Sequence, residues 1–235
     1  MAEKRTLVVN LFAGPGAGKT TCAWLIAGAL KKQNIETEYV PEYAKELVWD
    51  GNTELLDGTF VHQSELLHEQ NRRIERLVGK VDVVVTDSPI ILGAMYIKEQ
   101  REDFNAAAMV RHNRYNNFNL FVNRGAHFEQ SGRIHNLQES RAIDTEVKDF
   151  LKCNDVYYGT YSHDRLDTVV NNIQTTLRKL QARGNRHDNL IFHEDKRKDS
   201  QESPRREETV ITQEKPSQAD TARRAQAARM QHMER

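Results

Sequence analysis

Lys19 and Thr20 close the run Ala13, Gly14, Pro15, Gly16, Ala17, Gly18, and these residue types at this spacing can hold the phosphates of a nucleotide. Glycines let successive backbone N–H groups turn inward on an anion, a lysine ammonium reaches the terminal phosphates, and the adjacent hydroxyl offers an oxygen to Mg²⁺. Ala13 through Thr21 is therefore the candidate ATP-binding stretch, with Lys19 as a catalytic cation and Thr20 as a metal ligand. The G-x-x-x-x-G-K-[ST] pattern has glycine where this chain has Ala13. A methyl group is tolerable there provided the backbone avoids the left-handed region. ATP and Mg²⁺ are the cofactors that follow.

Two carboxylates complete the candidate chemistry. In VDVVVTDSP an apolar, β-branched run delivers Asp87 to the carboxyl end of a buried strand, where open parallel sheets bind ligands. A carboxylate there can hold Mg²⁺ opposite Thr20. Its alternative role is to cap the turn before Pro89. In YVPEYAKELVW, Glu42 follows a strand directly and can accept the proton of an attacking hydroxyl near the γ-phosphate. The plainer alternative is a first-turn acid favoured by the helix dipole. Tyr43 beside it is either a wall of an acceptor pocket or a helix-packing residue, and Trp49 has the same two readings.

These groups need a scaffold, and strand and helix patterns alternate in the way that gives a parallel sheet with crossover helices, an α/β fold of five strands with helices on both faces. Strands are expected at 6–12, 35–40, 81–86, 118–122 and 155–158. Helices are expected at 18–33, 41–49, 60–78, 89–98, 138–151 and 162–183, the first with Trp24, Leu25, Ile26 and Leu30 on its apolar side. Residues 124–137 read as a loop, and the longer segment 123–147 lies in the position of a lid over the phosphates. Arg133 and Arg141, with Arg124 as a third candidate, are the residues there that can clamp the γ-phosphate as charge develops.

The 235 residues suit one kinase-sized domain, 1–183, followed by a charged segment. From 184 to 235 apolar periodicity stops, and the composition predicts a disordered tail. Formal net charge is zero, so no global basic field draws the chain to nucleic acid. Two cysteines, Cys22 and Cys153, form no CxxC pair and read as buried thiols of a reducing compartment. No signal peptide or long apolar run is present, which predicts a cytoplasmic protein (host cytoplasm if viral) without a membrane partner. The histidines His62, His68, His112, His127 and His135 show no metal-ligand spacing.

V-P-E after the second strand, a tryptophan seven residues past the glutamate and a glutamine on the next long helix resemble the deoxyribonucleoside kinases. That resemblance implies Glu42 as general base and Gln63 as reader of the nucleobase edge, beside Tyr43 in the substrate site. On its residues alone, Gln63 could equally be an exposed glutamine of a polar helix face. The chain departs from that family at Asp87-Ser88-Pro89, where those enzymes carry E-R-S, so their arginine beside the metal carboxylate is absent. The lid segment and VYYGTYSHDRLDTV are similar to nicotinamide riboside kinases, which implies Gly159 and Tyr161 near an adenine.

The motifs A-G-P-G-A-G-K-T, V-P-E and T-D-S-P together resemble the thymidylate kinase-like P-loop kinases, and within them the bacteriophage 5-hydroxymethyluracil DNA kinases. The resemblance implies phosphoryl transfer to the hydroxymethyl group of that base in DNA. An acceptor in a duplex would have to be flipped out and its backbone held by cations such as Arg72, Arg73, Arg111 and Arg114. A free nucleoside or nucleoside monophosphate kinase, and a nicotinamide riboside kinase, are the rivals within the enzyme class. From another class comes a P-loop ATPase or nucleotide-dependent regulator acting through partners.

Overall fold

A computed structural model describes residues 4–99, 101–125 and 136–182, all within the first of the two units, 1–194, into which the chain divides. The expected tail from 184 lies outside the described residues.

The central strands are written as unbroken apolar runs because both faces of the sheet are covered. β1 (Leu7–Phe12) is buried at every position, as is β3 (Val83–Thr86). With β2 (Thr37–Val40), β4 (Asn116–Val122) and β5 (Gly159–Tyr161) they form one parallel sheet in the order β2-β3-β1-β4-β5. The helices are α1 (Lys19–Lys32), α2 (Tyr43–Trp49), α3 (Phe60–Glu75), α4 (Glu102–His112), α5 (Leu137–Cys153) and α6 (Leu166–Ala182). The chain runs from β1 outward to β2, then moves in the opposite direction for every later strand. Right-handed crossovers therefore put α1 on one face and α2 through α5 on the other. α6 returns to pack on α1, while α3 packs with both α2 and α4.

Register carries the functional consequence. Val40 on β2 pairs with Thr86 on β3, and Thr86 pairs with Asn10 on β1. The residues that leave β2 and β3 next, Pro41-Glu42 and Asp87, thus emerge at one level of the carboxyl edge, beside the loop that leaves β1.

Several sequence expectations change. Trp24 and Leu25 are not core: Trp24 is 66% exposed, and α1 buries Ile26 and Leu30, as expected, together with Cys22, Ala23 and Ala27. The segment 89–98 forms a 3-10 helix, Ile90–Met95, rather than an α-helix. α4 has no counterpart in the expected elements. The last strand begins at Gly159 rather than at 155, because Asp155 takes a left-handed turn (φ 53°) and Val156 N–H still closes on Leu151 at the end of α5. Cys153 is exposed, whereas Cys22 is buried.

Candidate functional site

The loop between β1 and α1 is shaped by Gly16 (φ 72°) and Gly18 (φ 87°), both left-handed. Ala13 is not among the residues with positive φ, so its methyl group costs no backbone strain. Lys19 Nζ folds back over the loop, donating to the carbonyls of Ala13 at 2.8 Å and Gly14 at 3.1 Å. α1 starts at Lys19 with glycine as its N-cap and no acid in its first turn. Its unsatisfied N–H groups and positive dipole end are left to the loop, the arrangement that binds phosphate.

Gly14 is a glycine for a different reason. A Cβ there would lie 2.8 Å from the Ser140 carbonyl oxygen and 3.0 Å from both Arg124 Nη2 and Asp144 Oδ1. Its N–H donates to Asp144 Oδ1 at 2.6 Å, and Arg124 holds the same carboxylate through Nε and Nη2 while giving a further bond to Ser140 O at 2.8 Å. Arg124, one of the lid candidates, therefore binds α5 to the outer edge of the loop. No signal in the sequence ties residue 14 to residue 144.

Across the loop, the Thr20 hydroxyl donates to Asp87 Oδ2 at 2.6 Å. Asp87 is 3% exposed, and its second oxygen, Oδ1, is buried with no hydrogen-bond partner among the described residues. A buried carboxylate oxygen without a donor is costly. Together with the Thr20 hydroxyl it is a hard oxygen set, so these residues fit Mg²⁺. Tyr39 on β2 stands beside them, its ring centroid 6.0 Å from that of Trp24. Its phenol is pushed well above the ordinary tyrosine range by burial first and then by the negative charge of Asp87.

Glu42 is the N-cap residue of α2, yet its side chain makes no capping bond to that helix. The turn it occupies is held from α3: buried Gln70 accepts from Tyr43 N–H at 3.0 Å and donates to Pro41 O at 3.2 Å. Arg73 places its guanidinium 4.5 Å from the centre of the Tyr43 ring and pairs with Glu46 at 2.6 Å. Tyr43 also lines a cavity of about 530 Å³ together with Leu55, Phe60, Val61 and Ser64. Gln63 lies on α3 and is 5% exposed, so it is not the exposed glutamine of a polar helix face.

Tyr96, which the sequence did not single out, is a further candidate beside Glu42. It follows the Ile90–Met95 turn and keeps 51% of its surface open to water. The protein around it nevertheless pushes its phenol up to about 12, with the negative charges of Glu42 and Glu146 adding to the effect. Its phenol thus lies within electrostatic reach of both Glu42 and α5.

Other candidates fall elsewhere. Arg133, His127 and His135 lie outside the described residues. Arg141 is exposed on α5. Tyr161 is fully buried in β5 and offers no face to an adenine. His62 sits with Nδ1 3.0 Å from Asp57 Oδ1, and His112 is buried, its imidazole pushed down to about 4 by desolvation. Among the described residues no cluster of histidine, cysteine, aspartate and glutamate has a metal-binding arrangement, and no helix is long and apolar enough to cross a membrane.

A five-stranded parallel sheet in this order, with a glycine loop entering α1 and a hydroxyl–carboxylate pair at its side, is the P-loop NTPase fold. Residues 8–165 match the AAA domain family, and the chain belongs to it. No curated protein sequence matches the chain. Among solved structures it is similar to the APS kinase CysC of Mycobacterium tuberculosis. In complex with AMPPNP and APS that enzyme aligns at 15% identity and TM-score 0.43, over 74% of this chain and 99% of the other. A cysteine-to-alanine mutant of it aligns at 14% identity and TM-score 0.40, over 76% and 99%.

Proposed function

We propose that the protein is an ATP-dependent kinase that transfers the γ-phosphoryl group to a hydroxyl of a nucleoside-type acceptor. The observation that carries this reading is the shared carboxyl edge, where Thr20 bonded to Asp87 stands one strand away from Glu42, whose side chain does not cap its own helix. The amides of residues 14–20 and the Lys19 ammonium hold the phosphates. Thr20 and Asp87 hold Mg²⁺, which when bound neutralises charge on the transferring phosphoryl group. Glu42 takes the proton of the acceptor hydroxyl as its oxygen bonds to the γ-phosphorus, and the bond to the bridging oxygen breaks to release ADP. Gln63 reads the acceptor's base edge, with Tyr43 and Tyr96 as walls. Arg133 and Arg141 are the candidate lid cations.

The narrower form of the reading takes the 5-hydroxymethyl group of 5-hydroxymethyluracil in phage DNA as the acceptor. It is supported by the resemblance of the AGPGAGKT, VPE and TDSP motifs to the kinases of that base. A free deoxynucleoside, a nucleoside monophosphate or nicotinamide riboside is the alternative.

A panel of acceptors incubated with γ-labelled Mg·ATP tests both forms: 5-hydroxymethyluracil DNA, ordinary DNA, free deoxynucleosides, their monophosphates and nicotinamide riboside. Label on the modified DNA alone supports the narrower form, and its labelling should weaken with salt as backbone contacts are screened. Label confined to a free nucleoside, monophosphate or riboside removes the DNA acceptor and keeps the kinase. Phosphate released to water, with label on no member of the panel, overturns the proposal in favour of an ATPase.

A further inference from the structure

Two carboxylates on neighbouring strands can cooperate only if their spacing is fixed, and at first sight nothing local fixes it. Glu42 lies on a turn that begins with Pro41, a residue with no N–H. It also begins a helix whose first N–H groups have no intrahelical acceptor. An N-cap side chain commonly takes one of those donors, but the Glu42 carboxylate does not. The donor at Tyr43 is taken instead by Gln70, from the middle of α3.

Gln70 is 6% exposed and uses both ends of its amide. Oε1 accepts from Tyr43 N–H at 3.0 Å and Nε2 donates to Pro41 O at 3.2 Å, so the residue grips the backbone on both sides of Glu42. Nε2 also lies 3.5 Å from Thr86 Oγ1. That hydroxyl accepts from Ser88 N–H at 3.2 Å, which spans Asp87 as Gln70 spans Glu42. One buried carboxamide thus connects two brackets, one around each carboxylate.

We infer that Gln70 is a positioning residue that sets the Glu42 carboxylate relative to Asp87, capping α2 in place of Glu42 so that the acid is not spent on the end of its own helix. The inference rests on the proposed roles of Glu42 and Asp87, and a buried side-chain amide is suited to the task. It satisfies one donor and one acceptor in fixed geometry, in surroundings where an unmade bond is expensive.

The test is a double-mutant cycle on the full chain, using whichever acceptor of the panel takes the most label. Gln70→Leu removes both backbone bonds; Gln70→Glu keeps the acceptor for Tyr43 N–H and is the second variant should the first not fold. Gln70→Leu should lower kcat at least about tenfold while KM for ATP changes less than about twofold. Because Gln70 acts through Glu42, the same substitution in a Glu42→Gln background should cost almost nothing more, as coupled residues are non-additive. Amide exchange at Tyr43 should quicken in Gln70→Leu and stay slow in Gln70→Glu.

An equal cost of Gln70→Leu in both backgrounds, or a matching rise in KM for ATP, overturns the inference. Full activity of Glu42→Gln itself would instead remove the base from the proposed mechanism. If no acceptor is labelled, the kinase reading falls, and unchanged Tyr43 exchange in Gln70→Leu overturns the positioning role by itself.

Discussion

The Thr20 hydroxyl and the Asp87 carboxylate meet at 2.6 Å across the gap between the phosphate loop and β3, and the oxygen of Asp87 that Thr20 does not reach is buried without a partner among the described residues. A pair in that state is stabilised by a divalent cation. Mg²⁺ should raise the melting temperature of the wild type in the presence of ATP, since a ligand that binds only the folded state stabilises it by mass action. Asp87→Asn should lose that increment. Its apparent Mg²⁺ affinity, read by titrating nucleotide binding, should fall by at least the about tenfold that removing even an outer-shell partner costs. Equal Mg²⁺ dependence in the two proteins would remove Asp87 from the metal site.

Gly14 offers a second test, because its environment and not its dihedral angles demands glycine. Gly14→Ala forces a methyl group to 2.8 Å from the Ser140 carbonyl, a backbone atom that cannot swing aside. Overpacking of this kind costs about 1–3 kcal/mol. Chemical denaturation should show a loss in that range together with weaker nucleotide binding. Asp144→Asn, which leaves the shape intact but weakens the grip on Gly14 N–H and Arg124, should reproduce the weaker binding with a smaller loss of stability.

Much of this site was legible in the sequence, where the chemistry is written in consecutive residues. The loop from Ala13 to Thr21, Asp87 at the end of VDVVVT, and Glu42 after β2 all sit where local pattern put them. What was not legible depends on contacts between distant segments. The bond from Gly14 to Asp144 joins residues 130 positions apart, and Gln70 looked like any polar helix residue until α2 was laid against α3. α4 escaped because its inward face carries only Phe104, Ala108 and His112, too small and mixed a stripe to show periodicity. Trp24 misled in the other direction: its place beside Ile26 in an apolar stripe suggested core, yet α1 turns Cys22, Ala23, Ile26, Ala27 and Leu30 to the sheet and leaves the indole beside Tyr39 on the edge strand.

Buried His112 makes stability depend on pH. Its imidazole titrates near 4 in the folded protein, against 6.5 for an exposed histidine, because burial disfavours the charged form. Below about pH 6.5 the unfolded chain takes up a proton that the folded chain refuses. Stability from this group is therefore complete above that value and is lost as pH falls toward about 4, by about 3 kcal/mol in all. Denaturation midpoints of wild type and His112→Leu between pH 7.5 and 4.5 check this: the stability of wild type relative to the variant should fall as pH falls. A constant difference would count against it.

The two thiols should separate cleanly. Cys22 is buried and its pKa is pushed up to about 12 by desolvation, so it carries almost no thiolate at neutral pH, while Cys153 is exposed. A thiol-reactive disulfide reagent should modify Cys153 quickly in the native protein and Cys22 only after unfolding. Rapid modification of both would mean that α1 opens readily from the sheet.

The role of Glu42 is the central claim, and one comparison tests it most directly. Wild type and Glu42→Gln are given γ-labelled Mg·ATP with the best acceptor of the panel, and label on the acceptor is measured beside phosphate released to water. Losing a general base should lower transfer to the acceptor by about 10²–10⁴-fold while slow hydrolysis persists at the wild-type rate. Transfer that survives the substitution, or a loss shared equally by transfer and hydrolysis, would contradict the account.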